Sequence, residues 1–289
     1  MPNPQLQAVP AAANAKRKNA PRDDEDDGAS DSGSDVSMIN VDFDFYNLNT
    51  DVDQIAIKRF LRQTLSHDDN LIDVHPLADL ILSEASRLGA GTSIKTDGEE
   101  SDPWGLLAVV DIRHAQETPA LKPLIDYFLS TSPPAALASV LDKSHASRPA
   151  LLFSLRMLNL PLPLIPPLYK MIGSELADAD FSHYVLWGRG YKLQGTEAAT
   201  GLELDQATKG NKKKKGGNTT GPGLVAGSFT YHPEEDLIDA RAKVVHTYPL
   251  KTAPSRDDEA FGVEQFGRLV LADAAGLAKA VEDMEEAVR

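Results

Sequence analysis

The chain has no cysteine among its 289 residues. Disulfides, thiolate nucleophiles and cysteine zinc sites are thereby excluded. A reducing compartment, cytosol or nucleus, suits such a composition. Long apolar runs are also missing. No stretch reaches the ~20 apolar residues that a membrane span needs; the longest candidate, Leu151 to Leu168, is broken by Arg156, Asn159 and four prolines. The opening residues hold no apolar core segment, so no signal peptide is expected there.

The patterns of the common catalytic and cofactor sites are absent too. The seven histidines are scattered, with no H-x-x-x-H or H-E-x-x-H pair to grip a metal, and no Gly-x-Ser-x-Gly nucleophile elbow occurs. A phosphate cradle needs glycines between a strand and a helix, where backbone N–H groups can approach an anion. Gly210 to Gly216 encloses lysines, but no Gly-Lys-Ser/Thr follows. Gly188-Arg189-Gly190 lacks a third glycine, and Gly221, Gly223 and Gly227 are wrongly spaced. Arg87-Leu88-Gly89-Ala90-Gly91 comes nearest to the Arg/Gln-x-x-Gly-x-Gly/Ala pyrophosphate loop of acyl-coenzyme-A acetyltransferases. Its first spacing is one residue short, and its glycines close a helix where the loop should open one. No catalytic residue, metal or cofactor is assigned.

What the chain does have is negative charge. Forty-three acidic residues against 29 basic ones give a net charge of −14. Such a polyanion repels nucleic acid and anionic membrane and attracts cationic partners; acidity also serves solubility alone. Residues 1 to 37 are Ala/Pro-rich, then acidic, without hydrophobic period, and read as a disordered tail. Lys16, Arg17 and Lys18 form a short basic cluster suited to nuclear import. Asp23, Asp24, Glu25, Asp26 and Asp27 follow as an acidic run, and Asp97, Glu99, Glu100 and Asp102 make an acidic loop. These two groups are the candidate contacts for a basic partner. Residues 194 to 223, Gly/Thr/Lys-rich with Lys212 to Lys215 in a row, read as a mobile insertion. The lysines could meet phosphate or serve as a second import signal.

Between these segments the spacing predicts regular structure. Ile39, Val41, Phe43 and Phe45 alternate with polar residues, as in a half-buried strand with Asp42 and Asp44 toward solvent. Thr50 and Asp53 form a capping box before a helix carrying Ile57, Phe60, Leu61 and Leu65. A second helix starts at Pro76 and ends at Gly89 and Gly91. A short strand spans Ser93 to Thr96, and the apolar run Leu106 to Ile112 reads as a central strand. Helices near 119–130 and 133–145 follow, then a strand Ala150 to Leu155, a helix from Pro167 to Ala177 and a strand Tyr184 to Leu193. Further strands are expected at Leu224 to Thr230, Arg241 to Tyr248 and Arg268 to Leu271. A helix begins at Asp273, and Glu234, Glu235 and Asp236 start a turn or helix. The order points to one three-layer α/β domain, residues 38 to 289, with a mixed central sheet flanked by helices.

Several segments in this order resemble the BCCIP family. They are Val41-Asp42-Phe43-Asp44-Phe45-Tyr46 with Ile57 to Gln63, Leu77 to Leu82 with Gly91 to Lys95, and Trp104-Gly105-Leu106-Leu107. Leu151 to Leu160 leading into Pro167-Leu168-Tyr169 is similar as well, as are Phe229, Tyr231 and Glu234-Glu235. Arg156 stands where the family often has glutamate. The resemblance implies a fold like that of the GNAT acetyltransferases, without a working acetyl-coenzyme-A site, and a non-enzymatic protein shuttling between nucleus and cytoplasm. It further implies partners of the kinds the family binds: in fungi a phosphatidylinositol-phosphate kinase, whose nuclear export it assists, and a basic large-subunit ribosomal protein that it chaperones. Animal members bind a cell-cycle kinase inhibitor and a DNA-repair tumour suppressor. An acyl-coenzyme-A-dependent acetyltransferase is the alternative, and neither direct nucleic-acid binding nor a membrane is expected.

Overall fold

Alternation along four central strands builds two separate cores on one sheet. In β3 (Gly105–Asp111) Leu106, Ala108 and Val110 face one core while Leu107 and Val109 face the other. The same split recurs in β4 (Pro149–Arg156), β5 (His183–Leu193) and β8 (Val263–Asp273), as period-two side-chain geometry requires of strands covered on both faces. The computed structural model describes residues 41–142, 147–193, 227–253 and 263–289. The tail and the insertion, with Lys16–Lys18, Asp23–Asp27 and Lys212–Lys215, lie outside the described residues.

The sheet has eight strands in the order β1-β2-β3-β4-β5-β8-β7, with β6 beside β5. β1 is Asp44–Asn47, β2 Gly91–Lys95, β6 Ser228–Thr230 and β7 Val244–Pro249. Among the described residues only β4 and β5 run parallel; every other pair is antiparallel. One face is covered by α1 (Gln54–Leu65), α2 (Val74–Leu88), α4 (Lys122–Ser130) and α5 (Ala135–Leu141), with the one-turn α3 (Ile112–Ala115) at the end of β3. The other is covered by α6 (Ile165–Glu175), α7 (Glu235–Asp239) and α8 (Ala274–Ala287). The three-layer mixed α/β architecture is therefore as the residue pattern predicts. Among the described residues no helix is long and apolar enough to cross a membrane.

Boundaries differ where tertiary pairing decides them. β1 begins at Asp44 and Val41 to Phe43 lie outside it, because its pairing with β2 runs only from Asp44 opposite Lys95 to Asn47 opposite Thr92; Ile39 is outside the described residues. Thr50 does not cap α1. Asn49 accepts the Asp51 amide and gives its own amide to Asp53 Oδ2 at 2.9 Å, so the turn before α1 is built one residue earlier. α2 begins at Val74, two residues before Pro76, because Asp73 accepts the His75 amide as N-cap. Gly89 ends α2 at φ +63°, the left-handed conformation glycine adopts freely, but Gly91 already belongs to β2. α6 starts at Ile165, its prolines in the first turn. β8 runs for 11 residues, far beyond Arg268–Leu271, paired along its whole length with β5.

Candidate functional site

β1 is the outermost strand at its end of the sheet, and the loop joining β2 to β3 folds beside it. Asp97, Glu99, Glu100 and Asp102 on this loop are all exposed, and so are Asp42 and Asp44 just before and within β1. Slight desolvation, then the charges of Asp44 and Glu99, raises the Tyr46 phenol pKa, which places both carboxylates in one patch. Arg59 reaches Asp102 at 3.5 Å, with both side chains largely exposed. Among the described residues the other five carboxylates have no ion pair, so the edge carries an unneutralised negative field. The candidate acidic loop of the sequence is thus brought together with Asp42 and Asp44, which residue spacing had placed merely on a solvent face.

This edge is anchored by charge beneath it. Lys95, the last residue of β2, is fully buried and meets the equally buried Asp53 at 2.7 Å. Its Nζ also donates to the Glu99 carbonyl at 2.5 Å, tying the loop to the start of α1. The indole N–H of Trp104 donates to Thr96 Oγ1 at 3.2 Å, and Phe43 packs edge-on against the Trp104 ring. The loop is therefore a fixed platform for its carboxylates. Sequence reasoning assigned Asp53 to helix capping and gave Lys95 no role; a lysine ending a strand of small and apolar residues was the only available signal.

A second charged constellation lies inside. β4 and β5 pair only from Pro149–Leu152 against His183–Leu186 and then diverge, and β6 takes the edge of β5 at Gly190–Lys192. Into this wedge project Arg156, Arg189 and Arg268, each at least nine-tenths buried. Arg156 pairs with Glu234, and Arg268 pairs with both Glu235 and Asp239 of α7. Arg189 lies 3.5 Å over the Tyr231 ring and donates to Gln265. One guanidinium cannot fully neutralise two buried carboxylates. Burial, with repulsion from neighbouring carboxylates added, pushes Glu235 up to about 7 and Asp239 up to about 6 despite Arg268. Burial, then the neighbouring arginines, pushes His232 down to about 3 and keeps it neutral. The network fills the wedge: two cavities of about 20 Å³ remain, each about the size of one water. The sequence did not show this cluster as a unit: Glu234 to Asp236 appeared as a turn or helix start, and Glu234-Glu235 within the family resemblance.

The Arg87–Gly91 segment is closed to phosphate as well. The Gly91 amide donates to Glu175 Oε2 at 3.0 Å, and Thr92 Oγ1 approaches the other oxygen at 3.4 Å. A carboxylate thus occupies the backbone donor that an anion would need. Among the described residues no group of three or more His, Asp or Glu could hold a metal ion.

The family model described as BCCIP matches residues 38–238. Protein BCP1 of Yarrowia lipolytica is 31% identical over 259 residues, covering 86% of this chain and 82% of that protein. Protein BCP1 of Debaryomyces hansenii is 34% identical over 274 residues, covering 86% of each. The crystal structure of BCP1 from Saccharomyces cerevisiae superposes with a TM-score of 0.55 at 22% identity, over 90% of this chain and 94% of that one, a likeness of fold.

Proposed function

Because the chain belongs to the BCCIP family, we propose that it is a non-enzymatic adaptor and chaperone that holds basic client proteins against its acidic sheet edge. One observation carries the reading: Asp42, Asp44, Asp97, Glu99 and Glu100 stand exposed on a platform held by Lys95 and Asp53, with no cation paired to them among the described residues. Such a field steers a cationic surface toward the protein and screens that surface's own repulsion and its pull toward RNA. The clients of this reading are a basic large-subunit ribosomal protein, escorted for ribosome assembly, and a phosphatidylinositol-phosphate kinase, escorted out of the nucleus. The protein then shuttles between nucleus and cytoplasm.

The test is the affinity for a basic ribosomal protein across a salt series. Affinity is expected to fall steeply as salt rises, and the triple variant Asp97→Asn/Glu99→Gln/Glu100→Gln is expected to flatten that fall. Binding indifferent to salt would sink the reading. The acetyltransferase alternative is met by calorimetry with acetyl-coenzyme A. The Glu175-occupied Gly91 amide and the filled wedge support the expectation of no binding heat.

A further inference from the structure

We propose that the groove between α6 and α8 receives an amphipathic, cationic helix of a partner protein, a contact separate from the acidic edge. The proposal rests on the reading that the partners are basic. The two helices run antiparallel on one face of the sheet: Lys170 meets Glu285 toward one end, and Phe181 and Ala274 line the other. Between them lies a groove of about 660 Å³, the range of a built binding site and some thirty times either wedge cavity. Its floor is apolar, formed by Ile172, Leu176, Phe181, Tyr184, Leu277 and Val281.

Length, relief and charge select the occupant. The stretch of α8 from Ala274 to Glu285 spans roughly 17 Å at helical rise, enough to lie along three turns of another helix. Ala177 and Ala278, exposed at the lips, let a backbone approach closely. Among the described residues the rim carries Asp180, Glu282 and Glu285 against one cation, Lys170, which is already paired to Glu285 at 3.0 Å. An apolar trough between acidic lips matches a helix with aliphatic anchors at i, i+3, i+4 and i+7 flanked by lysine or arginine. A second copy of this chain would bring its own charge of −14 to an acidic rim, and an anionic membrane would be repelled likewise.

Two 16-residue peptides test the idea by fluorescence anisotropy on the full chain. One carries leucine and lysine at helical spacing; the other has the same residues shuffled so that the leucines share no face. The first is expected to bind roughly tenfold more tightly and to keep more of its affinity at high salt, since buried apolar anchors are not screened. Ala278→Arg, an exposed position, is expected to weaken the first peptide by roughly tenfold or more and to leave the second unchanged. Lys170→Ala, which removes the one rim cation, is expected to tighten it. Equal binding of both peptides, or an Ala278→Arg variant with unaltered affinity, would overturn the groove while leaving the adaptor reading standing. A dimer in sedimentation that Ala278→Arg splits would assign the groove to a second copy and also overturn the proposal. Equal binding of the same pattern written with glutamate for lysine would overturn the cationic occupant, whereas the adaptor reading stands or falls with the salt series on the basic ribosomal protein.

Discussion

Lys95→Met isolates the buried pair beneath the acidic edge. Lys95 and Asp53 are both fully buried and 2.7 Å apart. Methionine keeps the length and apolar stem of lysine but removes the cation beside the buried Asp53 carboxylate, which is left with the Asn49 amide alone. Breaking a buried pair from one side costs about 3–5 kcal/mol, because the surviving charge loses its partner without regaining water. In a domain this size each kcal/mol moves the melting temperature by about 2–4 °C, so a fall of about 6–20 °C is expected. The variant also loses the Nζ bond to the Glu99 carbonyl, so the acidic loop should loosen. Urea unfolding followed by tryptophan fluorescence reads both effects, since Trp104 packs at the foot of the loop and Trp187 lies in the core. The double variant Asp53→Leu/Lys95→Met removes both charges and is expected to recover most of the loss, a large coupling in the double-mutant cycle. If Lys95→Met lay within about 1 kcal/mol of the parent, or the two single costs simply added, the pair would not be the anchor described here.

Two further perturbations probe the wedge and the sheet. The folded state holds Glu235 and Asp239 above their ordinary values, to about 7 and about 6, so it binds protons that the unfolded chain has released. Stability should therefore decline as pH rises from about 4.5 toward 7, and Glu235→Gln should flatten that decline; a parent profile already flat from about pH 5 to 8 would contradict the assignment. Gly267 lies in β8 opposite Tyr248, and a Cβ there would collide with the Tyr248 ring. Gly267→Ala is expected to cost about 1–3 kcal/mol in chemical denaturation, with full stability retained being the contrary outcome.

Much of the scaffold is visible in single stretches of residues. The run Leu106 to Ile112 and the run Ala150 to Leu155 mark the central strands, because a strand covered on both faces needs apolar residues at every position. Gly89 marks the end of α2 for a backbone reason, its positive φ. Four of the 11 residues of β8 escape such reading: Val263, Glu264, Gln265 and Phe266 show no clean alternation and are strand because β5 pairs with all four, while β7 reaches only Phe266 on the other side. The acidic loop is visible as composition, but its union with Asp42 and Asp44 depends on the β1–β2 pairing.

From the sequence alone come the two-faced strands, the end of α2 at Gly89, the family resemblance and the excess of negative charge. Each is written in periodicities of two to four residues or in simple sums. The tertiary structure alone decides the strand order, the placing of β8 between β5 and β7, and which charges go inside. Arg156 and Glu234 stand 78 residues apart, and a buried arginine looks like a surface one until the chain brings its carboxylate to it. Burial of charge is tolerated only where the partner arrives, and that arrival is a property of the whole fold rather than of any one segment.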